Sequence, residues 1–367
     1  MKNIVVTPEL AIEKIGNFKI EGKPYFAEVC DIGHICDTLF VSCKRDDGST
    51  LRYVLQRIND NIFPDVDGLM NNIVLVTRHV RKKLLENGGD TERGTMTVIE
   101  TLDGKSYYRD EIGDSYRVYT FIEDAVNRQK CESVEEFRNV GYAFGNFQKQ
   151  LFDFDASLLC EVIPNFHNTE SRINDFKEAL KNDKAGRAKS VADEIKFVLD
   201  RESYGTRITS RIKSGEFPLR VTHNDTKLNN LMLDPVTGEG VCVIDLDTIM
   251  PGSALYDFGD SIRFGATSAA ENEKDLSKVY FRTEMFNACR DGFLLAAGDI
   301  MTEAEKTSLA DGALVITFET GVRFLGDYLN GDTYFKTHYP DENLDRARNQ
   351  FKLVADLEDK MASGEIR

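Results

Sequence analysis

The segment VTHNDTKLNNLMLD, Val221 to Asp234, places one His, two Asp, one Lys and three Asn in fourteen positions. Apolar, strand-like runs flank it: FPLRV (residues 217–221) ahead and GVCVIDLDTIM (residues 240–250) behind. Taken singly, each polar residue is explained by turn chemistry, since Asn and Asp are favoured in turns. Taken together they form H-x-D-x-K-x-x-N (His223, Asp225, Lys227, Asn230), and Asp245 follows fifteen residues after Asn230 at the end of the next apolar run. The intervening LDPVTGEG supplies a Pro and two Gly, so the two runs can fold back as a hairpin. That predicts Asp225, Asn230 and Asp245 in one small volume.

Phosphoryl transfer needs these residue types. An Asp accepts the proton of the attacking hydroxyl, while an Asn oxygen and a second carboxylate give hard oxygen ligands to Mg²⁺ beside the phosphates of ATP. A Lys two residues after the base reaches the transferred group. Asp225 and Lys227 are therefore the catalytic candidates, and Asn230 and Asp245 the metal ligands. His223 reads as structural.

Upstream, residues 1–122 carry short β-like runs. FAEVCDIGHICDTLFVSCKRDDGSTLRYVLQRIN (residues 26–59) reads as strand, tight turn, strand, DDG hairpin turn and strand. A helix follows from about Val66 to Asn87, ended by Gly88–Gly89, and TMTVIETLDG and YRVYTFIE return to strands. Downstream of Glu123, apolar residues recur at helical spacing in VEEFRNVGYAFGNFQKQLFDF, NDFKEAL, ADEIKFVLD and most of 270–362. Residues 217–250 are a β-like insertion within them. The expected fold class is α+β, with a small β-rich N-terminal lobe (1–122), a hinge near 121–124 and a larger, mainly helical C-terminal lobe (123–367).

Composition sets limits. A chain of 367 residues, 41% hydrophobic and 29% charged, has ample material for two globular lobes. A net charge of −16 argues against general nucleic-acid binding. The seven scattered cysteines, with no C-x-x-C pair, fit reduced thiols of a cytoplasmic protein. The opening MKNIVVTPELAIEKIG lacks the apolar core of a signal peptide, and no run approaches the length of a membrane span.

Four stretches resemble one family. RVTHNDTKLNN, IDLDTIMPGSALYDFGDSIRFGA, YVLQRIN with IFPD, and FLGDYLNGDTYF with its upstream Arg323 look like the aminoglycoside phosphotransferase superfamily, relatives of protein kinases, and most like its N-acetylhexosamine 1-kinases. The resemblance runs in order from Gly33 to about Leu353. It implies a protein-kinase-like bilobal fold, with Asp225 as catalytic base and as a sugar contact, and Lys227 at the γ-phosphate. It makes Asn230 and Asp245 the Mg²⁺ ligands, with Asp247 close behind the metal. His34, Arg323 and Tyr334 become sugar contacts, and Asp257 and Asp260 braces of the active-site loop. The implied reaction is transfer from ATP to the anomeric hydroxyl of N-acetylglucosamine or N-acetylgalactosamine. Another hexose, a choline- or homoserine-type alcohol or an aminoglycoside is the alternative acceptor, and a catalytically dead binding module is a third reading.

The sequence also departs from that pattern. The turn IGHICDTLF has the single Gly33 where protein kinases have three glycines, and its backbone amides are the phosphate-covering feature. The strand position that should present a phosphate-binding Lys holds Gln56, with Arg57 as the candidate cation beside it. Val74 stands where a partnering Glu is often found. Cys36 reads as a small filler, and an ion pair with Asp327, at i+4, is the alternative to sugar recognition for Arg323. His79, His167 and His338 are too dispersed to form a metal site.

Overall fold

A computed structural model of the chain describes residues 6–30, 35–131 and 133–367. The first part comprises α1 (Pro8–Ile15), β1 (Lys23–Val29), β2 (Asp37–Lys44), β3 (Thr50–Arg57), α2 (Val66–Glu86), β4 (Val98–Ile99), β5 (Tyr108–Arg109) and β6 (Ser115–Thr120). There follow β7 (Val126–Asn127), α3 (Val134–Gln150), α4 (Thr169–Asn182), α5 (Ala192–Leu199), α6 (Thr209–Lys213), β8 (Arg220–Thr222), β9 (Leu231–Leu233), β10 (Gly240–Val243) and β11 (Met250–Gly252). The chain ends in helices α7 (Ala254–Gly265), α8 (Thr283–Ala297), α9 (Glu303–Lys306), α10 (Leu309–Asn330) and α11 (Glu342–Ser363). The fold class is α+β as expected, β-sheet in the N-terminal region and helical in the C-terminal region. Among the described residues no helix is long and apolar enough to cross a membrane, and all seven cysteines are free thiols.

Two compact units divide the chain. One gathers Met1–Val126 with Ser157–Pro164 and Val241–Met250, and the other holds Asn127–Ala156, Asn165–Gly240 and Pro251–Arg367. The first unit thus takes in two later segments that a single cut near residue 122 cannot express.

In the first unit the antiparallel sheet runs β1-β2-β3-β6-β4, with β5 on β6. The DDG sequence makes the β2–β3 turn: Gly48 adopts φ 87°, and the Asp47 carboxylate accepts from the Ser49 amide at 2.8 Å. Alternation buries Leu39, Val41 and Cys43 of β2 against Leu55 of β3 and Val118 of β6, and α1 closes this core with Ala11 and Ile15. Helix α2 starts where the Asp65 carboxylate caps the Gly68 amide at 2.9 Å. Leu69, Ile73, Val76 and Val80 form its buried stripe.

Asn72, fully buried on that helix, joins the unit's separate segments. Its amide donates to the carbonyls of Cys160 (2.8 Å) and Ile249 (2.9 Å), and its oxygen accepts from the Cys160 amide (2.9 Å). Three bonds on one buried side chain tie these distant segments to the N-terminal sheet region.

In the second unit, close helix contacts are made by glycine. A Cβ on Gly141 of α3 would lie 2.1 Å from the Cys289 carbonyl of α8, and one on Gly259 of α7 would lie 2.4 Å from the Gly312 carbonyl of α10. Only hydrogen fits at either contact. Helix α7 is thereby fixed against α10, and both carry residues of the candidate site.

Replacing Asn72 by Ala leaves buried backbone groups of Cys160 and Ile249 unsatisfied, at roughly 1–3 kcal/mol for each such group. The expected result is a loss on the order of 3 kcal/mol in urea unfolding, against under about 0.5 kcal/mol for the exposed neighbour Asn71→Ala.

Candidate active site

The polar segment is a loop held from beneath by one carboxylate. Asp257, in the first turn of α7, is buried, and its oxygens accept from the backbone N–H of His223 (3.0 Å) and Asn224 (2.8 Å) and from the Gln148 amide (2.7 Å). Gln148 also donates to the Val221 carbonyl at 3.0 Å. The Thr226 hydroxyl donates to the Asp257 carbonyl, and the Ser261 hydroxyl to the Thr226 carbonyl at 3.1 Å. Burial raises the Asp257 pKa, while the nearby His223 and the two backbone N–H groups pull it back. His223 is buried edge-on to Phe144 and Phe147, and its Nδ1 accepts from the Asp225 amide at 3.3 Å. It is a structural residue, and Asp257 a brace, as the sequence led us to expect. Asp260 is paired with Arg263 at 2.9 Å.

Asp225, Lys227 and Asn230 of this loop meet. Lys227 Nζ lies 3.0 Å from Asp225 Oδ1, and the Asn230 amide donates to Asp225 Oδ2 at 2.9 Å and to the Asp225 carbonyl at 2.8 Å. Burial acts to raise the Asp225 pKa, but Lys227, His223 and Asn230 outweigh it and hold the carboxyl below its ordinary value. Burial likewise works against the Lys227 charge, and Asp225 and then Asp260 restore it, so its pKa is raised. The outcome is an ionised carboxylate beside a cation, with about a quarter of the Asp225 side chain open to solvent. Asn230 spends its N–H groups on Asp225, which turns its amide oxygen away as a hard donor.

Asp245 belongs to the other unit. It is exposed and takes the left-handed backbone (φ 59°, ψ 57°), an uncommon conformation for a residue with a side chain, just before the single 3₁₀ turn Leu246–Thr248. Among the described residues no group of three or more His, Cys, Asp or Glu could hold a metal ion. An amide oxygen and a carboxylate are both hard donors of the kind a divalent ion takes.

The strand position in question is occupied as follows. Gln56 donates to the Thr38 hydroxyl (2.9 Å) and accepts from Arg117 Nε (2.9 Å). Arg117 is fully buried and grips Asp247 with both terminal nitrogens, at 2.6 and 2.8 Å. Arg57 is held by Asp37 (2.5 Å) and Asp114 (3.2 Å), so it brings no uncompensated charge to a phosphate. The buried guanidinium of this sheet is Arg117, which sequence reasoning missed. Cys36 lies 3.6 Å from Asp247, and burial, then Asp247, push its thiol up to about 12. Such a thiol is a filler, not a nucleophile. Gly33 and His34 lie outside the described residues.

Arg323 and Tyr334 line a cavity of about 300 Å³ with Arg172, Asp175 and Asp327. The guanidinium stands 5.7, 5.8 and 5.4 Å from the ring centres of Phe166, Tyr334 and Phe335, and Tyr334 is 67% exposed. The alternative Arg323–Asp327 pair does not form. Asp327 instead accepts from the backbone N–H of Thr333, Tyr334 and Phe335 (2.8–2.9 Å) and from Asn343 (2.9 Å), because a buried carboxylate gains more from converging N–H groups than from one neighbour. Sequence reasoning also passed over His167 and Glu319, which join this helix to the loop: His167 meets Glu319 at 2.8 Å and the Asn224 carbonyl at 3.1 Å. One signal was present, a lone Glu in the apolar run LVITFETGV.

An Asp, a Lys and an Asn brought together on one loop of an α+β scaffold are the groups that a phosphotransferase uses. The model of the phosphotransferase enzyme family matches residues 47–285, well over half the chain, and the chain belongs to that family. Its fold is similar to that of an aminoglycoside phosphotransferase from Alicyclobacillus acidocaldarius (13% identity, TM-score 0.60, covering 99% of this chain and 98% of that one). It is also similar to a microcompartment-associated aminopropanol kinase (12%, 0.55, 98% and 99%). A third likeness is to an amicoumacin kinase whose structure holds AMP-PNP and Ca²⁺ (13%, 0.57, 97% and 94%). At such identities the likeness establishes the fold and leaves the acceptor open.

Asp225→Asn keeps the loop's size and loses the proton acceptor. Its turnover should fall by roughly 10²-fold or more, with the urea midpoint and ATP affinity near wild type. A variant retaining above about a tenth of wild-type kcat would remove Asp225 from the role of base.

Proposed function

We propose that this phosphotransferase moves the γ-phosphoryl group of ATP to the anomeric hydroxyl of a free N-acetylhexosamine, giving the α-1-phosphate. Asp225 takes the hydroxyl proton; an anomeric hydroxyl is more acidic than an ordinary alcohol, so a fully ionised carboxylate suffices. Lys227 lies against the base and stabilises charge on the transferred group. A divalent ion, when bound, supplies positive charge to the phosphates, and Asn230 and Asp245 are the residues proposed to hold it. Gln56 and the Gly33 turn are proposed on the nucleotide side, and His34, Arg323 and Tyr334 on the sugar side.

The observation that carries the acceptor assignment is the charge state around Arg323. Among the described residues no carboxylate lies within ion-pair distance of it, Asp327 is consumed by backbone N–H groups, and Asp175 faces Arg172 at 3.5 Å. Cationic acceptors such as aminoglycosides or choline-type alcohols call for free carboxylates or aromatic faces without a resident cation. This pocket offers the opposite: a donor-rich guanidinium suited to the hydroxyls and acetamido carbonyl of a neutral sugar. A volume of about 300 Å³ is at the small end of ligand pockets and suits one sugar ring. A neutral hexose without the acetamido group is the second reading, favoured by the same charge argument.

Two measurements test this. Incubation of N-acetylglucosamine and N-acetylgalactosamine with ATP and Mg²⁺ should release ADP while reducing ends disappear, since a 1-phosphate locks the hemiacetal. ADP release with persistent reducing ends would mean another hydroxyl is attacked. Arg323→Ala should raise KM for sugar by about 10-fold or more, the loss of a hydrogen bond from a charged donor, with KM for ATP little changed. Equal effects on both substrates would dissociate Arg323 from the acceptor.

A further inference from the structure

His167 and Glu319 take no part in the chemistry above, yet they are buried together against the catalytic loop. His167 Nδ1 lies 2.8 Å from Glu319 Oε1, and Nε2 lies 3.1 Å from the Asn224 carbonyl oxygen. Glu319 Oε2 accepts from the Thr169 hydroxyl at 2.6 Å. The ring is flanked by Phe166 (4.7 Å between centres) and Tyr256 (5.2 Å). Both ring nitrogens therefore face acceptors, a carboxylate oxygen and a carbonyl oxygen. A neutral imidazole has one donor and one acceptor and can satisfy only one of them; the doubly protonated ring satisfies both.

What the ring holds is the peptide that leads into the base. The Asn224–Asp225 peptide is gripped at both ends by histidines: its carbonyl by His167, and its N–H by Nδ1 of His223 at 3.3 Å. Asn224 itself is in the left-handed region (φ 65°), uncommon for a residue with a side chain, so this geometry depends on its surroundings. Asp257 fixes the Asn224 N–H, and the Asn224 side chain is tied to Thr222 through bonds of 2.9 and 3.1 Å.

We propose that His167 in its protonated form is a positioning residue: it locks the Asn224–Asp225 peptide, and through it the direction of the Asp225 carboxylate, so turnover depends on the second ring proton. The inference rests on the reading of Asp225 as the base. The charged and titratable groups that face the ring are Glu319 and, one turn further along α10, Arg323; Asp260 and Tyr256 of α7; and the loop carbonyl. Burial disfavours the imidazolium, and the Glu319 carboxylate outweighs it, raising the His167 pKa. Glu319 is lowered in turn, His167 overcoming burial, with Arg323 helping. The sign follows. Stabilisation by a raised His is complete below the ordinary imidazole value near 6.5 and fades as pH rises through the raised value. Below the raised value the loop is locked; above it the loop is released.

The chain has five histidines, so ¹⁵N ring spectra of the full protein can follow His167, assigned by its loss in His167→Gln. The wild-type ring should be doubly protonated at pH 7, and kcat should fall over the same alkaline interval in which it loses that proton, with KM for ATP unchanged. His167→Gln can donate to the Asn224 carbonyl without titrating; it should keep kcat within about threefold and lose the alkaline limb, while His167→Ala should fall about tenfold or more. A neutral ring at pH 7, a kcat that stays flat while the ring deprotonates, or a folded His167→Ala with wild-type kcat would each overturn the proposal. If the Ala variant fails to fold, the wild-type comparison of ring and rate decides alone. Asp225→Asn in the same assay keeps the two readings apart, because retained turnover there removes the base whatever His167 does.

Discussion

A buried carboxylate is costly unless its charge is met by donors, and the Asp257 side chain is met by the backbone of the catalytic loop itself. The two needs are satisfied together: the loop's N–H groups would be orphaned without Asp257, and Asp257 would be an uncompensated charge without the loop. Because α7 packs against α10 through a glycine-to-carbonyl contact, the position of Asp257 is set by backbone, which is far stiffer than side-chain packing. Helix α10 then carries Glu319 and Arg323 on successive turns. One helix pair thus sets the height of the loop, the clamp on its peptide and the arginine of the proposed acceptor pocket.

Buried charge is handled consistently in this acidic protein. Arg117 meets Asp247, Arg220 meets Glu305 at 2.6 Å, Arg263 meets Asp260, and His167 meets Glu319. Such pairs add little net stability, but removing one partner strands the other. Arg323 is treated differently, standing among aromatic rings without a carboxylate at ion-pair distance among the described residues. That difference is what the proposed acceptor assignment rests on.

How much of this was legible in the sequence depended on whether a requirement is local. The helix from Val66 and the hairpin at Asp46–Gly48 were readable because periodicity and turn chemistry act over a few residues. The polar loop was readable because phosphoryl transfer demands particular groups at short spacing, and Asp225, Lys227 and Asn230 do meet. Asp257 was anticipated as a brace through the family resemblance of the segment that follows IDLD. For Arg323 the i+4 rule offered Asp327 as an alternative, and a turn formed by residues 333–335 claimed that carboxylate first. His167 stood in an unremarkable stretch, since its role depends on Glu319, 152 positions away. Arg117 was hidden likewise, as nothing in YRVYT announces a partner on the far side of the chain.

Asn72 and Arg117 have their partners at residues 160, 247 and 249. During synthesis the N-terminal sheet is complete in sequence by residue 126, but two of its buried polar side chains must wait for the ribosome to add about 120 further residues. At typical elongation of roughly 5–20 residues per second, that is an interval of several seconds to tens of seconds. Through it, the α2 face that will receive Ile249 stays open to chaperones and to wrong partners. The order of the chain therefore delays completion of this region until well after its own strands have been made.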